Sequence, residues 1–174
     1  MTAKYVYINT MGCQMNVYDS DQIRSRLAPM GYDATDHMEQ ADIIIVNSCT
    51  IRDKAEQKAF SFLGRLAPLK ARKPDLIVGI GGCVAQQEGR LILRRMPFVD
   101  LVFGTHAIGR LPGLIRCISR TRCRLVDIDI AETIGPDDFA VSPCPKTDTS
   151  AFVTIMRGCD NYCTYCIVPY VRGR

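Results

Sequence analysis

Ala41-Asp42-Ile43-Ile44-Ile45-Val46-Asn47-Ser48-Cys49 is the stretch that decides the fold. Its centre, Ile43 to Val46, is an unbroken β-branched run, the pattern of a strand buried on both faces as parallel strands are. Working outward, short apolar runs alternate with amphipathic segments over residues 1–130, which is the signature of a parallel α/β domain. Lys4–Asn9 reads as a first strand. A helix is expected from about Asn16 to Met30, with Ile23, Leu27 and Met30 on one face and Gly31 ending it. A second is expected from about Asp53 to Ala67, where Pro68 should disrupt it. Leu76–Ile80, Val99–Phe103 and Leu125–Ile130 read as further strands, with helices over Val84–Met96 and His106–Ser119 between them. The fold class expected is α/β: an open parallel sheet flanked by helices, of the Rossmann or flavodoxin type.

Three cysteines share one address on that plan. Cys13, Cys49 and Cys83 each follow a strand by a few residues and precede a helix, in INTMGC, IIIVNSC and IVGIGGC. Ligands gather at the carboxyl edge of an open parallel sheet, so residues far apart in sequence can meet there. Gly12 and the pair Gly81-Gly82 allow the backbone to turn tightly around a bulky group. One cysteine at a strand end is most often an ordinary buried thiol. Three at equivalent ends favour an iron–sulfur site offering three ligands.

The stretch Gly158-Cys159-Asp160-Asn161-Tyr162-Cys163-Thr164-Tyr165-Cys166 holds a second set of three, spaced C-x-x-x-C-x-x-C. A closed structural zinc site takes four ligands. A [4Fe–4S] cube held by three thiolates keeps one iron open for another group. The zinc alternative needs a fourth ligand elsewhere, and the only histidines, His37 and His106, lie far from this loop in sequence. Before the loop, residues 131–149 form a polar, Pro-rich linker with Pro136, Pro143 and Pro145. Ala151–Met156 then reads as a strand feeding the cysteines.

The two constellations together resemble the radical SAM (S-adenosylmethionine) methylthiotransferase family. The resemblance is carried by Gly12-Cys13-Gln14-Met15-Asn16, Asn47-Ser48-Cys49-Thr50-Ile51-Arg52-Asp53-Lys54-Ala55, Gly81-Gly82-Cys83-Val84-Ala85-Gln86 and the Cys159–Cys166 loop. The run from Tyr162 to Arg174 looks most like the tRNA branch, which acts on isopentenylated adenosine beside the anticodon. The branches acting on threonylcarbamoyl-adenosine or a ribosomal-protein aspartate are similar, but their loops differ around the last two cysteines. The resemblance implies two [4Fe–4S] clusters, one on Cys13, Cys49 and Cys83, the other on Cys159, Cys163 and Cys166. The second would bind SAM, with Tyr165 contacting its adenine or simply packing in the loop. Reductive cleavage of SAM would then activate carbon 2 of the adenine, a position without a leaving group where polar chemistry has little purchase. The first cluster would hold the sulfur. Implied partners are the tRNA substrate and an electron donor, and the protein is expected to be a monomer.

On this reading, residues 1–130 form the domain of the first cluster and residues 150–174 begin a radical SAM barrel. The chain stops eight residues after Cys166, so it reads as an N-terminal fragment that is inactive alone. Its 47% hydrophobic content suffices for a full core, and its net charge of +4 permits RNA binding without requiring it. Met1-Thr2-Ala3-Lys4-Tyr5 opens no apolar h-region, and no stretch approaches the roughly 20 apolar residues of a membrane span, so a cytoplasmic protein without a disulfide framework is expected. The rival function is a non-catalytic two-cluster redox module, although electron carriers usually give each cluster four thiolates. Cys117, Cys123 and Cys144 match no motif. Arg110, Arg116, Arg120, Arg122 and Arg124 form a basic run read as solvated surface, with contact to RNA phosphate the alternative.

Overall fold

The computed structural model describes residues 3–51, 53–130 and 154–174. The expected linker at 131–149 and Cys144 lie outside the described residues. Six strands, β1 (Lys4–Met11), β2 (Tyr32–Ala34), β3 (Ile43–Ser48), β4 (Ile77–Gly82), β5 (Leu101–Phe103) and β6 (Leu125–Asp127), form one sheet in the order β2-β1-β3-β4-β5-β6. Every pairing is parallel. The helices are α1 (Gln14–Leu27), α2 (Asp53–Arg72), α3 (Cys83–Glu88), α4 (Arg90–Arg95), α5 (Leu111–Thr121) and α6 (Val168–Arg172). No helix among the described residues is long and apolar enough to cross a membrane.

The run that begins the argument is the centre of the sheet, and its four apolar side chains divide between two cores. Ile44 and Val46 pack with Leu63, Leu66, Val78, Val84 and Val102 beneath α2 and α3. Ile43 and Ile45 pack on the opposite face with Val6, Ile23, Leu27, Leu101 and Ile115 beneath α1 and α5. Burial on both sides is why no polar residue interrupts the run. Because α1 and α2 leave β1 and β3 for opposite faces, a crevice opens between the carboxyl ends of these neighbouring strands, the topological switch point of a doubly wound sheet.

The α5 crossover runs against a strong rule. Chain progress from β3 through β6 is in one direction, yet α2, α3 and α4 cover one face while α5 joins α1 on the other. The β5–α5–β6 unit is therefore left-handed, although such units are right-handed almost without exception. Its reason is burial. Without Ile108, Leu111, Ile115 and Ile118, the Ile77, Leu101 and Phe103 side of the sheet would have only α1 to cover it.

Four expectations are corrected. The helix expected to stop at Pro68 runs to Arg72. Leu66 and Leu69 continue its apolar stripe onto the core, and Lys70 anchors the last turn by donating to Asp100 Oδ2 at 2.8 Å. These contacts offset a proline penalty of about 3 kcal/mol. The single helix expected over Val84–Met96 is two, broken at Gly89, whose φ of +50° suits glycine. The short edge strand β2 was not expected at all. The strand expected at Ala151–Met156 is absent from its described part, Thr154–Met156, where Ile155 is 93% exposed. A strand is stable only when paired, and Thr154–Met156 pairs with none of the six strands.

Candidate metal centre

Register brings the strand ends that precede the first three cysteines to one level. Met11 pairs with Ser48, and Ser48 with Gly82, so the ends of β1, β3 and β4 are level. Cys49 and Cys83 are the next residues, and Cys13 follows after Gly12. Neighbouring strands lie about 4.8 Å apart, which sets the scale of the cluster of side chains at this edge. The Cys49 amide still donates to Met11 O at 2.9 Å, holding it against β1. A Cβ built on Gly12 would lie 2.8 Å from the Cys49 Cβ, so only glycine lets these two segments approach so closely. Cys49 and Cys83 are buried and Cys13 is half-buried. Among the described residues, no three Cys, His, Asp or Glu side chains form a compact group for a single ion. Four thiolates around one zinc stand about 3.8 Å apart, whereas thiolates on separate irons of a cube stand wider.

A buried polar ladder supports this edge from below. Asn47 Nδ2 donates to Asn16 O at 2.8 Å and to Ser20 Oγ at 2.9 Å, and Asn47 Oδ1 accepts from Asn16 Nδ2 at 3.2 Å. Ser20 Oγ in turn meets Thr10 Oγ1 at 2.7 Å. Asn16 Oδ1 accepts from the Cys13 amide at 3.2 Å and from its thiol at 3.4 Å. The ladder therefore ties α1 to the ends of β1 and β3 and sets where Cys13 stands. Sequence reasoning missed it. The signal was Asn47, an amide closing an apolar run, where a buried polar side chain needs partners.

The second cysteine loop is fastened to the same edge. Val171 O accepts from Thr105 Oγ1 at 2.8 Å, and Arg172 O is 2.9 Å from His106 Nε2. Arg172 Nη2 donates to Asp19 Oδ2 at 2.8 Å, an ion pair with both side chains buried, and α6, which ends at Arg172, packs against α3, which Cys83 begins. Burial pushes the Asp19 carboxyl and the Cys83 thiol up, and Arg172 pulls both the other way. Burial acts to lower the Arg172 pKa, but Asp19 and Cys83 outweigh it and raise it, so the guanidinium stays charged. His106, far from this loop in sequence, thus helps to seat it.

Within the loop, the Cys159 amide donates to Gly173 O at 3.0 Å, closing its base, and the Cys166 amide donates to Cys163 O at 2.9 Å in a turn. Cys163 is exposed, and Cys159 and Cys166 are half-buried. Tyr165 is 91% exposed, so it does not pack in the loop. Tyr162, at φ +46°, sets its ring edge-on to Tyr170 with centroids 5.9 Å apart. Cys117 and Cys123 are elsewhere, at the end of α5 on the opposite edge, with sulfurs 4.0 Å apart. In the basic run, Arg110 pairs with Asp127 at 2.6 Å, Arg122 pairs with Asp75, and Arg124 donates to Leu93 O and Pro97 O.

Relatives of this chain share one name. The chain is 54% identical over 171 residues to the tRNA-2-methylthio-N(6)-dimethylallyladenosine synthase of Desulfosudis oleivorans, a match covering 98% of this chain and 37% of that protein. Proteins of the same name from Cupriavidus taiwanensis and Syntrophotalea carbinolica are 51% and 47% identical, again across 98% of this chain and 38% and 39% of their own lengths. The chain thus spans less than two fifths of the curated relatives it matches. The model of the uncharacterized protein family UPF0004 matches residues 5–104, from β1 past β5, and the chain belongs to that family.

Proposed function

We propose that this chain is part of a tRNA methylthiotransferase, which replaces a hydrogen with a methylthio group at carbon 2 of isopentenylated adenosine beside the anticodon. The observation that carries the reading is the common level of Met11, Ser48 and Gly82, which delivers Cys13, Cys49 and Cys83 to one sheet edge. The name shared by the relatives supports the reaction and the tRNA substrate. Residues 1–130 form the domain of the first centre, and residues 150–174 open a radical SAM domain whose barrel needs further chain.

Cys13, Cys49 and Cys83 would hold one [4Fe–4S] cluster, and Cys159, Cys163 and Cys166 the other. The residues fit such groups. Each set offers three soft donors, the Gly12 and Gly82 turns leave little side chain at the first site, and the Arg172 cation sits where a thiolate-bound cluster would be anionic. When bound, these clusters supply one-electron chemistry toward SAM at the second site and a place for transferable sulfur at the first. The chain's own part is to hold and separate the two. The Asn16–Asn47 ladder fixes the first site, while the Cys163–Cys166 turn presents Tyr165 outward, free to meet the adenine of SAM. An external electron donor is required, and the protein works as a cytoplasmic monomer.

The test uses the whole protein with Cys49→Ala. Formation of 5′-deoxyadenosine should persist, while nucleoside mass spectrometry should find no methylthiolated tRNA. Normal product from a folded Cys49→Ala protein would refute the sulfur-donor role. The chain alone, reconstituted without oxygen, should bind about eight irons, and replacing all three of Cys13, Cys49 and Cys83 should halve that number.

A further inference from the structure

We propose that Arg172 is the positioning residue of the Cys13/Cys49/Cys83 site, its buried guanidinium paired with Asp19 and set beside Cys83, so fastening the second cysteine loop to the first centre. The inference rests on the reading above that this site carries an iron–sulfur cluster.

Arg172 lies six residues beyond Cys166, in sequence a member of the second constellation, yet it is only 8% exposed. A guanidinium does not go into a protein interior without partners. Its partner comes from the side of the other constellation: Asp19 on α1, 153 positions away, while α6 packs against α3, which begins at Cys83. The backbone leaves it little freedom, since Thr105 and His106 hold the carbonyls of Val171 and Arg172. On the far side, Gly173 takes φ +77°, and a Cβ on Gly158 would lie 2.0 Å from Gly173 O. The loop therefore cannot slide along the edge without breaking the ion pair.

The planar fork of arginine can serve a carboxylate and a sulfur together, which a lysine ammonium on a flexible stem does poorly. Outer partners of this kind orient the metal-binding groups and tune the centre. A cation beside the Cys83 sulfur stabilises the more negative, reduced cluster and so raises its reduction potential. Asp19 holds the donor in place.

The test isolates the first site. In this chain, Cys159, Cys163 and Cys166 are all replaced by alanine, and iron and sulfide are supplied without oxygen. Arg172→Gln, Arg172→Lys and Asp19→Asn are compared in that background for iron content, midpoint potential of the one-electron couple and rate of iron loss to a chelator. Arg172→Gln should shift the potential to more negative values and speed iron loss about 10-fold. Arg172→Lys, which keeps the charge, should restore most of the potential but not the retention of iron. If Arg172→Gln does not fold, this variant carries the test alone. Asp19→Asn removes the carboxylate charge but keeps an oxygen that can hold the guanidinium beside Cys83, so its potential should not move negative. A role confined to holding the fold together predicts equal iron loss in Asp19→Asn and Arg172→Gln with neither potential displaced, and that result would overturn the proposal. Parent values in Arg172→Gln would do the same. No iron uptake in the background chain itself would instead sink the cluster reading, and this inference with it.

Discussion

Gly82→Ala should be among the most damaging single-methyl changes in the molecule. Gly82 ends β4 at φ +88° and ψ −161°, a region that is essentially closed to residues with a side chain. Forcing alanine there costs about 1–3 kcal/mol in backbone strain. The new Cβ would also stand 2.5 Å from Asn47 Oδ1 and 2.6 Å from Ser48 O, and the latter is backbone locked in the sheet. Overpacking of this kind adds about 1–3 kcal/mol. The sum, about 4 kcal/mol, is a large share of the roughly 5–15 kcal/mol that holds a domain folded. Gly64→Ala supplies the control. Gly64 is exposed inside α2 with no atom near its added Cβ, so the same methyl should stabilise by about 0.5–1 kcal/mol. Urea unfolding of the iron-free, reduced chain, followed by circular dichroism, measures both. If Gly82→Ala unfolds within about 1 kcal/mol of the parent, the strained turn is not what shapes the end of β4. A folded Gly82→Ala protein should also load less iron, because Cys83 is the next residue.

Asn47→Ala removes two donated hydrogen bonds and one accepted one and leaves Asn16 and Ser20 short of buried partners, so it should cost about 3 kcal/mol by the same urea titration. The loss should be accompanied by weaker iron binding, since Asn16 sets the Cys13 amide. Tyr32 gives a pH effect. Burial, with a smaller contribution from Asp42, raises its phenol pKa in the fold, so the folded chain holds that proton more tightly than the unfolded one. Its contribution is complete below a tyrosine's ordinary pKa of about 10 and is lost as pH climbs toward the folded value. Thermal melts of Tyr32→Phe should fall less steeply above pH 10 than those of the parent, and identical slopes would contradict this.

What could be read from the chain alone was local. The unbroken apolar run at Ile43–Val46 declared a strand with two covered faces, and the repeated ending of strand, glycine or polar residue, then cysteine marked one edge of a parallel sheet. Period and composition are properties of neighbouring residues, so they survive in sequence. The compact spacing of Cys159, Cys163 and Cys166 was legible for the same reason. Tertiary structure alone decided what depends on residues far apart. The level ends of β1, β3 and β4 follow from ladder hydrogen bonds between segments that carry no mark of their register. The continuation of α2 through Pro68 and the left-handed placement of α5 were settled by the demand to cover apolar surface, which outweighed local rules. The strand expected before the second cysteine loop did not form in its described part, since a strand's hydrogen bonds belong to a partner. Arg172 is the clearest case. In sequence it is one basic residue in a Val-Arg-Gly-Arg ending, and only the fold sets its charge beside Asp19 and Cys83, where low dielectric makes a single guanidinium matter.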